Sequence, residues 1–124
     1  MLGTAIELYI DAYGRRRNAD DWTYYNITAP TLLKRGYTGH EHLDSFNLIN
    51  MNGRVYDPII GRMLSPDIYT SANSTQGLNL YTYCNNNPIA FSEPSGYRAY
   101  GSGNGGGQNL LKKYCKVQNV NCKM

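Results

Sequence analysis

The chain has 124 residues, with 12 Lys and Arg against 9 Asp and Glu and a formal charge of +3. That length suits one modest domain burying roughly two thirds of its unfolded surface, which excludes two independent cores. The mild basic excess lies in Arg15-Arg16-Arg17, Lys34-Arg35 and Lys112-Lys113; such runs are mostly solvated faces, so nucleic acid is not an expected partner.

Twelve Tyr and 13 Gly stand beside only two Phe and one Trp. Tyrosine packs its ring in strands while its hydroxyl stays in water or on a partner, so short strands, many turns and thin layers follow. The fold class is read as mainly β, with at most one or two short helices.

In chain order, Met1-Leu2-Gly3-Thr4 opens without a basic segment followed by a long apolar one, so no Sec-type signal is expected. No apolar run approaches the length of a membrane span. Residues 4–13 alternate, with Ile6, Leu8 and Ile10 on one face, which predicts a half-buried strand ended by Gly14 and followed by a solvated basic run. Trp22, Tyr24 and Tyr25 then form either a ligand-stacking platform or, as is commoner, a packing anchor for a loop. Asn26-Ile27-Thr28 and Asn73-Ser74-Thr75 match glycosylation acceptors, which matter only in a secretory compartment.

Thr31-Leu32-Leu33-Lys34-Arg35 is a brief apolar-to-basic segment stopped by Gly36. On a strand, His40 and His42 share a face, as two metal ligands would, but a third ligand would have to come from Asp44 or Asp57. Hydrogen-bonded structural histidines are the preferred reading, and neither a metal nor a cofactor is assigned.

Phe46–Met51 and Arg54–Tyr56 flank Asn52-Gly53, which supplies positive φ for a hairpin. Asp57-Pro58 presets a second turn before Gly61-Arg62. A polar loop runs from Tyr69 to Gly77. Leu78–Cys84 fits a strand or a short helix, and the helix is preferred because Asn85-Asn86-Asn87-Pro88 is a strong stop.

Past Gly96 the composition changes. Residues 98–107 read as a Gly-rich linker, and 108–124 as a short, variable, basic tail that is loosely attached. Three cysteines, Cys84, Cys115 and Cys122, fit no zinc spacing; reduced thiols are the default, with a Cys115–Cys122 disulfide open if the protein is exported.

Tyr9-Ile10-Asp11-Ala12-Tyr13-Gly14-Arg15 is echoed by Tyr56-Asp57-Pro58-Ile59-Ile60-Gly61-Arg62. In each, Asp can cap a turn that Gly permits. Two copies suggest the broken-off end of a repeat array.

Residues 9–15 resemble the tyrosine-aspartate (YD) repeat of Rhs proteins. Gly36–Leu43, Leu48–Pro58, Gly61–Asp67 and Asn85–Pro88 together resemble the Rhs repeat-associated core domain, in order over about residues 4–97. On that resemblance, 1–97 is a core domain with a partial YD repeat at 4–17. The resemblance implies a bacterial polymorphic toxin of interbacterial competition, in which repeats wind a β-sheet into a hollow shell. The core domain would close that shell at its C-terminal end.

In many such proteins the core also cuts the chain after its last motif in an aspartyl-protease-like reaction. Residue by residue, this makes Asp67 and Glu93 the catalytic pair, Arg62 the arginine that orients a carboxylate, and Gly96-Tyr97 the cleavage site. The family's Asp-Pro-x-Gly is replaced by Asp67-Ile68-Tyr69-Thr70 and by Glu93-Pro94-Ser95-Gly96, which puts the dyad geometry in question; the plain alternative is that both carboxylates only cap turns.

One or two repeats are too few for a shell, and the tail is too short for a typical toxin domain. The expectation is therefore a detached, structural core or plug module. Two alternatives are a single-turnover self-protease and a small effector or partner-binding tail. Expected partners are a YD-repeat shell in the same or an adjacent chain, an immunity protein, and further copies joined through open sheet edges. The expected location is the bacterial cytoplasm, or outside it through a specialised secretion system.

Overall fold

The computed structural model describes residues 7–18, 20–25, 27, 34–69, 75–101 and 121–123. Among them the fold is mainly β, and its helical pieces are single 3-10 turns. The central sheet has four short antiparallel strands in sequence order: β2 (Glu41–Leu43), β3 (Leu48–Asn50), β4 (Val55–Asp57) and β5 (Arg62–Met63). Two further pairs flank it. β1 (Glu7–Tyr9) runs parallel to β8 (Asn121–Lys123), while β6 (Phe91–Ser92) is antiparallel to β7 (Tyr100–Gly101).

The Asn52-Gly53 hairpin forms as expected, with Ile49 opposite Tyr56 and Asn50 opposite Val55. Positive φ is taken by Asn52 at 66°. Gly53 is required for a different reason: a Cβ there would lie 2.1 Å from Tyr97 Cε2 and 2.7 Å from the Ser95 carbonyl. The next turn also forms. Asp57 Oδ1 accepts from the Ile59 amide at 2.8 Å, and Gly61 closes the turn at φ 66°.

The echo at 9–15 has the same physical plan. Asp11 Oδ1 accepts from the amides of Tyr13 and Arg15, and Gly14 sits at φ 92°. This turn is docked on the core by tyrosine hydroxyls, since Tyr37 donates to the Ala12 carbonyl and Tyr56 to the Tyr13 carbonyl. The rings behind those hydroxyls form the centre of the molecule. Tyr37, Tyr56 and Tyr83 pack together, the last two with centroids 4.4 Å apart, among Ile10, Ile49, Met51, Met63 and Cys84. Tyr37 and Tyr56 bury the ring while satisfying the hydroxyl on a backbone carbonyl, which is how tyrosine serves in a core.

Three expectations need correction. No helix spans 78–84. Cys84, Asn85 and Asn86 all adopt positive φ, so the chain turns continuously instead of propagating a helix. The arginine run is not simply solvated: Arg15 covers the Tyr24 ring at 3.9 Å, Arg16 pairs with Asp44 at 2.9 Å, and Arg17 donates to the Tyr24 hydroxyl. Finally, the first residues assigned to the Gly-rich linker belong to the fold, because Tyr100–Gly101 pairs with Phe91–Ser92, and Asn121–Lys123 of the tail pairs with β1. Residues 102–120, including Lys112, Lys113 and Cys115, lie outside the described residues, as do Asn26 and Asn73. No helix among the described residues is long and apolar enough to cross a membrane.

Candidate functional site

A buried arginine joins two of the residues singled out in the sequence, and it is Arg54. Its side chain is 1% exposed, and its Nη2 lies 3.4 Å from Asp67 Oδ2 and 3.2 Å from Glu93 Oε2. Nη1 donates to the Leu80 carbonyl at 3.0 Å, and Nε donates to the Gly96 carbonyl. One guanidinium therefore meets two carboxylates and two backbone carbonyls from different segments, using the forked donor geometry that lysine lacks.

Each carboxylate has a second anchor. Asp67 Oδ1 accepts from the Tyr69 amide at 2.8 Å, an Asx turn, and its own amide donates to the Leu80 carbonyl. Glu93 Oε1 accepts from the Cys84 amide at 2.8 Å. Burial raises the Glu93 carboxyl above its ordinary pKa; the Cys84 amide and Arg54 act against that, and the Asp67 charge adds to it. Glu93 thus sits in a setting that favours the protonated form more than an exposed glutamate does. Asp67 is half-buried at the edge of an open cleft of about 730 Å³ that both carboxylates line, together with Tyr69, Ser95, Tyr97 and Arg98.

Ser95 and Tyr97, on either side of Gly96, line the same cleft. Gly96, at φ 77°, lies on the hairpin turn so closely that a Cβ would be 2.2 Å from the Met51 carbonyl. Around it, Gly53 N donates to the Ser95 carbonyl at 3.0 Å, Asn52 Nδ2 donates to the Pro94 carbonyl at 2.7 Å, and the Tyr97 hydroxyl donates to the Gly53 carbonyl at 2.9 Å. The tip of the hairpin and the 94–97 segment hold each other.

Arg62 is elsewhere. It is exposed on β5, opposite Asp57 and bridged to Thr82, and among the described ion pairs it takes none with Asp67 or Glu93. Sequence reasoning passed over Arg54 because it follows Asn-Gly and looks like an exposed turn residue. The available signal was its place between two strand-forming runs, where a single inward position receives whatever residue follows the turn.

The histidines act as structural groups. His42 Nε2 accepts from the Tyr37 amide at 2.9 Å, and His40 Nδ1 lies 2.8 Å from Thr38 Oγ1. Among the described residues, no group of three or more His, Cys, Asp or Glu is arranged to hold a metal. Of the aromatic trio, Trp22 meets Tyr9 edge-on at 5.6 Å, and the Tyr24 hydroxyl donates to Asp11 Oδ2. They anchor the first turn.

No family profile matches the chain. Over 98 residues it is 32% identical to the toxin subunit YenC1 of Yersinia entomophaga, an alignment covering 72% of this chain and 10% of that protein. That similarity supports a relationship of the chain to the Rhs/Tc toxin proteins. Its fold agrees with that relationship. It is similar, with a TM-score of 0.55 and 26% identity, to a chain in the crystal structure of TcdB2-TccC3-Cdc42, over 91% of this chain and 4% of that one. The chain spans about a tenth of the length of the toxin subunit it matches.

Proposed function

We propose that this chain is the core or plug module of an Rhs-type toxin-encapsulating shell, acting structurally as part of the shell's end wall. The observation that carries this reading is the division of its strands: among the described residues, one four-stranded sheet stands beside two two-stranded pairs, β1 with β8 and β6 with β7. A two-stranded pair is marginal in water by itself and gains stability when neighbouring strands continue it. The partner is a YD-repeat shell, in the same or an adjacent chain, of a bacterial protein exported by a specialised route. Co-expression with an Rhs-repeat polypeptide tests it. The two should co-purify as one defined species, while this chain alone self-associates through its open edges; a well-behaved monomer that ignores the repeat polypeptide would defeat the proposal.

A second reading, single-turnover self-cleavage between Gly96 and Tyr97, is favoured by the Arg54 contact to the Gly96 carbonyl. In it, Arg54 withdraws charge from that carbonyl, ionised Asp67 takes a proton from the attacking water, and protonated Glu93 gives one to the leaving Tyr97 nitrogen. Intact mass during incubation at acidic and neutral pH reads this directly. Cleavage after Gly96 that stops in Asp67→Asn supports the reading, and a chain that stays whole throughout removes it.

A further inference from the structure

Asn52 and Gly53 form the dipeptide most open to spontaneous deamidation, because glycine has no side chain to keep its amide nitrogen from the asparagine Cγ. In this fold both nitrogens that must change partners are occupied by one neighbouring segment. Gly53 N, the nucleophile, donates its hydrogen to the Ser95 carbonyl at 3.0 Å. Asn52 Nδ2, the leaving group, donates to the Pro94 carbonyl at 2.7 Å. The Tyr97 hydroxyl holds the Gly53 carbonyl, and the Tyr97 ring covers the face where a Gly53 side chain would be. Asn52 is exposed, so water reaches the position as soon as that segment lifts.

We propose that Asn52-Gly53 is a latent deamidation site that the 94–97 segment keeps shut. When the segment leaves, the lone pair of Gly53 N attacks Asn52 Cγ, forming the N–C bond of a five-membered succinimide as the nitrogen gives up its proton to solvent. The Cγ–Nδ2 bond breaks and Nδ2, taking a proton, departs as ammonia. Water then opens the ring at either carbonyl, leaving aspartate or isoaspartate; nothing is oxidised or reduced. The product carboxylate has no hydrogen to give the Pro94 carbonyl and sets its charge against that oxygen, so the segment does not re-dock as before. A transient release thereby becomes permanent, whether or not the chain is cut at Gly96.

The test is peptide mapping of the full chain for the amide-to-acid mass increase at Asn52, over days at mildly alkaline pH, folded and in urea. Tyr97→Phe, which removes only the hydroxyl, and Tyr97→Ala are run beside it. The folded protein should retain Asn52 while the urea-treated chain loses it, and Tyr97→Phe should react roughly three- to tenfold faster than wild type, the ratio expected from one lost hydrogen bond. Equal rates in the folded and urea-treated chains, or a Tyr97→Phe rate equal to wild type, would overturn the proposal. If Tyr97→Ala does not fold, the Tyr97→Phe comparison still decides the matter.

Discussion

Arg54 Nη2 lies within ion-pair distance of both Asp67, at 3.4 Å, and Glu93, at 3.2 Å, with its guanidinium almost wholly buried. The three residues come from separate parts of the chain. Their meeting joins the hairpin to the segment that carries Gly96.

Removing the arginine leaves two carboxylates facing each other without a counter-charge. Arg54→Met should lower unfolding free energy by about 3–5 kcal/mol, the usual cost of breaking a buried pair from one side. Arg54→Lys should recover only part of that, because an ammonium does not reproduce the fork that reaches Gly96, Leu80 and both acids. Urea denaturation of the three proteins measures it, and equal stability of Lys and Arg would mean that point charge alone suffices.

Gly53 and Gly96 are restricted by space on opposite sides of one contact. Gly53→Ala drives a methyl into the Tyr97 ring and the Ser95 carbonyl, and Gly96→Ala into the Met51 carbonyl while also demanding positive φ. Both meet a backbone carbonyl, at 2.7 Å for Gly53 and 2.2 Å for Gly96, but only Gly96 also needs positive φ, so Gly96→Ala should be the more damaging. We expect about 1–3 kcal/mol for Gly53→Ala and more for Gly96→Ala. Thermal unfolding of both variants checks the order.

His42 gives the fold a defined acid sensitivity. Burial, with Arg16 close by, lowers its pKa from 6.5 to about 4, and Asp44 opposes this. Its Nε2 must stay unprotonated to accept from the Tyr37 amide. The folded pKa lies below the unfolded one, so the unfolded chain takes up the proton first. The stability tied to neutral His42 is complete above pH 6.5 and is lost as pH falls towards 4. The loss is at most about 3 kcal/mol. A His42→Gln variant should show a flatter stability profile across that window; an unchanged slope would assign the acid sensitivity to other groups.

The two Asx turns offer a comparison between the echoed segments. Asp11→Ala and Asp57→Ala each remove an acceptor for turn amides. Each should cost about 1 kcal/mol, with Asp11 the larger because its second oxygen also receives the Tyr24 hydroxyl. Equilibrium denaturation distinguishes them.

The turns were legible in the sequence because their chemistry is local. Asp57-Pro58 with Gly61 and Asp11 with Gly14 each carry the residue that takes positive φ and the side chain that caps the turn, and in Asn52-Gly53 the asparagine takes positive φ. The motifs also singled out Asp67 and Glu93, the two carboxylates that meet Arg54. The arginine between them was not legible: its partners Glu93 and Gly96 are 39 and 42 residues away, and nothing in the spacing separates an inward Arg54 from an outward Arg62. The stretch 78–84 was misread for a related reason. Asn85-Asn86-Asn87-Pro88 reads as the stop of a helix, but the Cys84 amide is taken by Glu93 and Asn85 and Asn86 sit in left-handed conformations, so tertiary contacts override local preference. The arginines at 15–17 looked solvated because Tyr24 and Asp44, which hold them, belong to other segments.

Hydrogen–deuterium exchange of the chain alone and in complex with an Rhs-repeat polypeptide tests the end-wall account most directly. Amides of the central sheet and of the turn held by Arg54 should be protected in both states, while those of the β1–β8 and β6–β7 pairs should gain protection only in the complex. Full protection of both pairs in the isolated chain, unchanged by the repeat polypeptide, would contradict the account.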